Sequence, residues 1–201
     1  MEDCRKKNFK KFDWLLFFDM DEFIYLRNFS DIKEFLAQKK FDKCKKIQLN
    51  WIVHTDSNLL YYDNRTLKER FPEKQKNSRG ARVIKSILRG NIDTKIMDNH
   101  IINSDFLGCN GFGKNQTLDG IRSFQTDHHY YYIDHYWSKS TEEFVNKLLR
   151  GDAILGFNNI SNNLRRISMY FSINNITLEK INYIENRTNY NLTKYRLKIN
   201  T

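Results

Sequence analysis

The distribution of apolar residues along the chain predicts alternating strands and helices. The run DWLLFF at residues 13–18 is continuously apolar, which is typical of a strand buried on both faces of a parallel sheet. The next segment, SDIKEFLAQKK (30–40), predicts a helix capped by Ser30, and KIQLNWIVHT (46–55) predicts a further strand. A strand, a helix and a strand in this order indicate an α/β sheet.

The second half of the chain is predicted to add more elements of both kinds. RVIKSILRG (82–90) and HHYYYIDHYW (128–137) are rich in residues that favour strands. The tail, about residues 158–201, predicts helices. Because no linker or internal repeat divides the chain, we predict one domain over residues 1–201.

The clearest predicted helix is SKSTEEFVNKLLRGD (138–152). Ser140 and Glu143 have the spacing of a capping box, and Gly151 is suited to end the helix. A helix N-terminus attracts anions, so Lys139 and Ser140 together predict a place where a phosphate group could bind.

Composition and charge narrow the possible partners and the compartment. The 201 residues carry a net charge of +10, which favours nucleic acid, a phosphorylated ligand or an anionic membrane surface. No apolar run reaches the roughly 18 residues of a membrane span, and no signal peptide is visible, so we predict a cytoplasmic protein or one peripheral to a membrane. We expect reduced thiols at the widely spaced Cys4, Cys44 and Cys109.

Three acids follow the first apolar run, in the sequence WLLFFDMDEF. Alternate residues of a strand share a face, so Asp19 and Asp21 are expected to project together at the carboxyl end of the strand. Ligands of open α/β sheets collect at that end. Neighbouring carboxylates repel each other and suit a hard cation, Mn²⁺ or Mg²⁺, which in turn binds the oxygens of a diphosphate.

Four segments resemble glycosyltransferases of families 2 and 92, in the family's order. DWLLFFDMDEFIYL (13–26) resembles the metal-binding strand, in which D-x-D-E-F follows an apolar run. IQLNWIVHTDSNLLYYDNRTLKERF (47–71) and KSILRG (85–90) are similar to later segments. YIDHYWSKSTEEFVNKLLRGD (132–152) carries the H-Y-x-x-K-S-x-E-E-F signature. The resemblance implies a GT-A-like (Rossmann-like) mixed sheet flanked by helices, and an inverting transfer of sugar from a nucleotide-diphosphate sugar to an acceptor hydroxyl.

The resemblance also implies roles for individual residues. Asp19, Asp21 and His135 carry over as ligands of Mn²⁺ or Mg²⁺. An inverting transfer needs a carboxylate base, for which Asp56, Asp105 and Asp127 remain open and Asp56 is preferred. The candidates for substrate binding all lie in the four matched segments, and four of them are basic. They are Glu22, Trp51, Arg70, Lys85, Arg89, Lys139 and Ser140.

The expected partners are a UDP- or GDP-linked sugar donor and a glycan, lipid or protein acceptor, with no nucleic acid. The resemblance departs from the family at the N-terminus, because only 18 residues precede Asp19, where a GT-A domain has its first strands. We therefore expect an N-terminally truncated domain, and self-association or a missing N-terminal half.

Three alternatives remain. GCNGFGKN (108–115) satisfies the G-x-x-x-x-G-K pattern of a nucleoside-triphosphate loop, but Asn115 stands where a metal-binding hydroxyl is required. The positive charge and the aromatic residues are also compatible with a protein that binds nucleic acid or an anionic surface. Finally, the chain could be a catalytically degenerate transferase fold that serves as a scaffold.

Overall fold

A computed structural model of the chain describes residues 2–8, 10–75, 79–92, 100, 108–151 and 160–199. Its strands are β1 Trp14–Leu16, β2 Glu22–Leu26, β3 Lys46–His54, β4 Lys74–Gln75, β5 Ile84–Arg89, β6 Gly108–Cys109, β7 Asn115–Gln116, β8 Leu118–Asp119, β9 Arg122–Ser123 and β10 Tyr131–His135. Its α-helices are α1 Glu2–Asn8, α2 Ile32–Leu36, α3 Leu67–Arg70, α4 Thr141–Arg150, α5 Ile160–Ile173, α6 Leu178–Thr188 and α7 Thr193–Arg196.

The residues form two compact units. The first unit lies within Met1–Val53 and Lys76–His135, and the second within His54–Gln75 and Tyr136–Thr201. A single domain over residues 1–201 stays a prediction. Among the helices that the structure describes, none is long and apolar enough to cross a membrane.

The first unit contains a mixed sheet with the strand order β1-β5-β3-β10-β2. β3 and β10 run parallel, whereas the other neighbours along this path are antiparallel. Because β1 and β3 are both antiparallel to β5, the strands β1, β3 and β10 share one direction, and their carboxyl ends lie at one edge of the sheet. The predicted α/β class, with a mixed sheet flanked by helices, is confirmed, although most strand pairs are antiparallel.

The prediction that residues 13–18 form a strand buried in a parallel sheet is wrong. β1 has only three residues, of which Leu15 is buried and its two neighbours are half-buried. It pairs antiparallel with β5, and it has no second neighbour among the described strands. β5, which is far away in sequence, inserts between β1 and β3, so the apolar run has no parallel neighbour.

The helix caps agree with the sequence in one case and differ in the other. α4 begins after Ser140 and has the predicted capping box with Glu143. α2 is capped by Asp31 rather than Ser30, because the Asp31 carboxylate accepts a hydrogen bond of 2.8 Å from the Glu34 backbone N–H. Ser30 instead donates to the Glu34 carboxylate from its hydroxyl and its backbone N–H.

Each unit has its own apolar core. The fully buried apolar residues of the first unit include Phe35, Phe41, Ile47, Ile84, Ile87, Leu88 and Ile133. The core of the second unit joins four helices and includes Phe144, Leu148, Ile167, Tyr170, Ile181, Ile184, Leu192 and Tyr195. The three helices of residues 160–199 agree with the helical tail predicted from the sequence.

A disulfide joins Cys44 to Cys109 in the first unit, and their Cα atoms are 5.8 Å apart. Ile47 pairs with Cys109 between β3 and β6, so the bond fastens β6 beside the start of β3. The prediction of reduced thiols is therefore wrong for this pair, and Cys4 is the free cysteine of the described residues. The partners are 65 positions apart, and only tertiary structure brings them together.

The glycine-rich segment 108–115 belongs to a hairpin between β6 and β7. Asn110 accepts a backbone hydrogen bond from Gly113, whose φ of 78° suits glycine. A nucleoside-triphosphate loop needs a helix after the glycine-rich turn. Strand β7 follows instead, so this alternative is excluded.

Candidate active site

Residues 19–22 form a tight turn, here called the acid turn, between β1 and β2. The Glu22 N–H donates to the Asp19 carbonyl at 3.1 Å, and Met20 at the tip is 98% exposed. The prediction that Asp19 and Asp21 share a strand face by alternation is therefore wrong, because neither residue lies in a strand. The turn follows β1, so it lies at the edge where β3 and β10 also end.

The Lys85 ammonium lies between two carboxylates of the acid turn. Its Nζ is 2.9 Å from Asp19 Oδ2 and 3.1 Å from Glu22 Oε2. The side chains of Lys85 and Glu22 are fully buried, whereas that of Asp19 is half exposed. Burial raises the pKa of Glu22 above its usual value, and the Lys85 ammonium opposes that increase. The substrate-binding candidate Lys85 is therefore the counter-ion of the acid turn.

Asp21 and His135 form the other half of this site. β2 and β10 pair Glu22 with His135, which brings the imidazole beside the turn. Asp21 Oδ1 lies 3.8 Å from His135 Nε2, and both side chains are largely buried. Trp51, on the neighbouring strand β3, packs against the imidazole, with the two ring centroids 4.0 Å apart.

The residues present fit a cation with two protein ligands. Mn²⁺ and Mg²⁺ bind ligand atoms at about 2.1 Å, so two ligands of one ion lie roughly 3 to 4 Å apart. The separation of Asp21 from His135 falls in this range, whereas Lys85 already holds Asp19. Within the described ranges, no three His, Cys, Asp or Glu side chains converge. Diphosphate and water would complete such a site, as is usual for Mg²⁺.

Arg89, a substrate-binding candidate in the first unit, is bound to backbone groups. Its Nε donates to the Cys44 carbonyl and its Nη2 to the Phe41 carbonyl, at 2.9 and 2.8 Å. The guanidinium also lies 4.4 Å from the centre of the Trp14 ring. These contacts fasten β1 and the segment before β3 to the end of β5.

Asp56, the preferred base, lies in the second unit and is 1% exposed. Its Oδ2 accepts a hydrogen bond of 2.5 Å from the Tyr170 hydroxyl and lies 2.6 Å from Lys180 Nζ, and its Oδ1 accepts from the Asn58 N–H. Its own N–H donates to Asn174. Burial and the nearby Asp56 charge raise the pKa of Tyr170 well above its usual value. Sequence reasoning missed these partners, of which Tyr170 lies in α5 and Lys180 in α6.

Arg70 and Ser140 meet at the N-terminus of α4 in the second unit. Glu143 accepts hydrogen bonds from Arg70 Nη1 at 2.6 Å and from the Ser140 hydroxyl at 2.9 Å. Burial alone would raise the pKa of Glu143, but these hydrogen bonds lower it overall. Lys139 precedes the cap with a φ of 54°, which is unusual for a non-glycine residue. Arg70 is thus bound to the capping box.

The other two candidate bases are placed differently. Asp127 accepts hydrogen bonds from three consecutive backbone N–H groups, those of His129, Tyr130 and Tyr131, and so shapes the entry to β10. Asp105 lies outside the described residues. Of the predicted site residues, the structure brings Asp19, Asp21, Glu22, Trp51, Lys85 and His135 together in one unit.

Comparison with known proteins identifies the family. The family model described as glycosyltransferase family 92 matches residues 1–168, a span that contains the acid turn, Lys85 and His135. No curated protein and no solved structure matches the chain. Since the family match covers most of the 201 residues and the mixed sheet is compatible with it, the chain belongs to glycosyltransferase family 92 and is a glycosyltransferase.

Proposed function

We propose that the chain transfers a sugar from a UDP- or GDP-linked donor to a hydroxyl of a glycan, lipid or protein, and that Mn²⁺ or Mg²⁺ is required. The observation that carries the proposal is the position of Asp21 beside His135 at the carboxyl edge of the sheet. Ligands of α/β sheets bind at this edge, and family membership supports the reaction class.

Each residue of the site has a distinct part in this proposal. Asp21 and His135 would hold the cation, which when bound neutralises charge on the leaving diphosphate. Trp51 would limit the movement of the imidazole by packing against it. Lys85 offsets part of the negative charge of Asp19 and Glu22, so that the acid turn keeps its shape and repels a diphosphate less strongly.

Calorimetric titration of Mn²⁺ with UDP into the full chain tests the proposal, with GDP in parallel. The variant Asp21→Asn keeps the size of the side chain and removes its charge. Asp42→Asn is the matched control, because Asp42 is an exposed acid elsewhere in the first unit. We expect metal-dependent nucleotide binding that Asp21→Asn loses and Asp42→Asn retains. Equal binding by both variants would contradict the assignment.

We propose an inverting reaction, for which Asp56 stays the predicted base. The contacts of its carboxylate with Tyr170 and Lys180 indicate a structural role as well. The two roles give different results for Asp56→Asn. Loss of the base lowers kcat in a chain that melts normally, whereas loss of a structural anion lowers the melting temperature. Product stereochemistry, read by NMR, tests inversion directly.

A second candidate function is that of a non-catalytic family member acting as a scaffold. The ion pairs of Lys85 favour it, because they supply an internal cation to the acid turn. This candidate predicts no metal-dependent nucleotide binding by the wild-type chain, so the same titration distinguishes it. Self-association stays a prediction, and light scattering measures it.

The cytoplasmic or membrane-peripheral location also stays a prediction. The Cys44–Cys109 disulfide favours an oxidising compartment, because cytosolic thiols are normally kept reduced. Alkylation of the native protein before and after reduction reports the state of these thiols. If the chain is cytoplasmic and its thiols are reduced, all three cysteines should be alkylated after the chain is unfolded, even when no reductant is added.

A further inference from the structure

Seven triplets of the form Asn-x-Ser or Asn-x-Thr occur along the chain, and none has proline at its middle position. The chain has 23 asparagines and 21 serines and threonines among 201 residues, so chance placement would give about two such triplets. The asparagine-rich composition therefore does not account for seven. This triplet is the pattern at which asparagine receives an N-linked glycan. The asparagines of the triplets are Asn28, Asn64, Asn115, Asn159, Asn175, Asn186 and Asn191.

The asparagines of these triplets lie at the surface more consistently than the other asparagines do. Six of the seven are described by the structure, and all six are exposed, whereas Asn159 lies outside the described residues. Of the eleven other described asparagines, five are exposed and four are buried, namely Asn50, Asn162, Asn163 and Asn174. Because a glycan is bulky and hydrophilic, the asparagine that bears it must face the solvent. The described triplet asparagines meet this condition.

Asn28 and Asn64 also lie outside the helices and strands, in surface loops such as glycosylation requires. Asn28 is in the turn after β2 and has a φ of 68°, which asparagine tolerates better than most residues. Asn64 lies in the loop before α3, two residues ahead of Thr66, the cap of that helix. Neither side-chain amide makes a hydrogen bond with another described residue. Both amides are therefore exposed and take no part in holding the fold.

The other exposed triplet asparagines are less suited to bear a glycan. Asn115 lies in β7 and Asn186 lies in α6, so neither is in a loop. Asn175 and Asn191 are in loops, but their side chains already make hydrogen bonds. Asn175 Nδ2 donates to the side chain of another asparagine, and Asn191 Oδ1 accepts from a backbone N–H. Exposure, position and a free amide thus coincide at Asn28 and Asn64 among the described triplets.

The disulfide between Cys44 and Cys109 indicates the same environment as the triplets do. Disulfides form and persist in oxidising compartments, among them the lumen of the endoplasmic reticulum. N-linked glycosylation is likewise a feature of secreted proteins. A covalent bond in the first unit and an excess of triplets along the chain are independent observations, and both favour passage through the secretory compartment.

We propose that Asn28 and Asn64 are acceptor sites for N-linked glycans. A separate enzyme would transfer the glycan from an oligosaccharide diphosphate carried on a lipid. In this transfer Nδ2 of the asparagine forms a bond to C1 of the sugar, and the bond from C1 to the diphosphate oxygen breaks. The diphosphate leaves with the electron pair, and Nδ2 gives its proton to a base.

Glycans at these positions are compatible with the proposed reaction and do not depend on it. In the first unit, the five residues of β2 lie between Asn28 and the acid turn, and they span about 17 Å. A glycan on Asn28 is therefore attached at the opposite end of β2 from the acid turn.

Expression of the full chain behind a cleavable signal peptide in cultured eukaryotic cells tests the proposal. Peptide N-glycosidase in ¹⁸O-labelled water removes each glycan and leaves a labelled aspartate, which peptide mass spectrometry assigns to one residue. We expect labelled aspartate at positions 28 and 64. Asn28→Gln and Asn64→Gln should each remove one step of the mobility shift that the glycosidase produces. Asparagine is replaced rather than Thr66, because Thr66 caps α3.

Asn146→Gln is the matched control, because Asn146 is an exposed asparagine of the second unit outside any triplet. It should leave the mobility shift unchanged. Three results would overturn the proposal: no labelled aspartate at either position, glycans only on other triplets, or a full mobility shift in the double variant Asn28→Gln/Asn64→Gln. Since the readout requires neither Mn²⁺ nor UDP, its failure is distinguishable from failure of the proposed function.

Discussion

Replacing Lys85 by methionine removes the cation of the acid turn while keeping most of the side-chain volume. Glu22 is then a fully buried carboxylate that has lost its counter-ion. At 3.1 Å and an effective dielectric constant near 20, the lost attraction to Glu22 is about 5 kcal/mol. Asp19 adds less, because water screens a half-exposed carboxylate. Uptake of a proton by Glu22 limits the loss, so we expect Lys85→Met to cost about 3 kcal/mol at pH 7.

The loss should depend on pH in a defined direction. The pKa of Glu22 is already raised by burial, and removing Lys85 raises it further. Between its ordinary pKa of 4.5 and the raised folded value, the native state binds more protons than the unfolded state. The stability of the variant therefore falls as pH rises through this window, and its deficit relative to the wild type shrinks below pH 4.5.

Urea denaturation at several pH values measures the effect, and a midpoint shift of about 1 M or more is expected at pH 7. Adding Glu22→Gln to Lys85→Met removes the buried charge, so the double variant should recover most of the loss. Lys43→Met, at an exposed lysine, is the control and should stay within about 0.5 kcal/mol of the wild type. A cost below about 1 kcal/mol for Lys85→Met, or no recovery in the double variant, would refute the reasoning.

Two further predictions concern stability. The disulfide closes a loop of 65 residues, so its reduction, or the double variant Cys44→Ala/Cys109→Ala, should lower the free energy of unfolding by about 4 kcal/mol. Cys4→Ala should leave it unchanged, and equal melting temperatures of the oxidised and reduced chains would contradict this prediction. Arg70→Met should destabilise the second unit at a pH above 4.5, the ordinary pKa of Glu143, and much less at lower pH, because the lowered pKa of Glu143 gives stability that is lost on protonation. Thermal melts above and below pH 4.5 measure this difference, and a loss that does not depend on pH would point to packing alone.

The sequence by itself determined the elements that local interactions control. The capping box of Ser140 and Glu143 lies within one turn of chain, and it formed as predicted. The strand-forming residues of β3, β5 and β10 also appeared in strands, within a few residues of the predicted bounds. The D-x-D-E-F and H-Y-x-x-K-S segments indicated the family correctly, because each is contiguous in sequence.

Only the tertiary structure decided the strand order and the partners of the charged residues. β5 inserts between β1 and β3, and this order brings Lys85 to Asp19 from 66 positions away. Lys180 and Tyr170 reach Asp56 across more than a hundred positions in the same way. Caps and alternation are set by neighbours along the chain, but an ion pair or a disulfide depends on the register of distant elements, which no local pattern encodes.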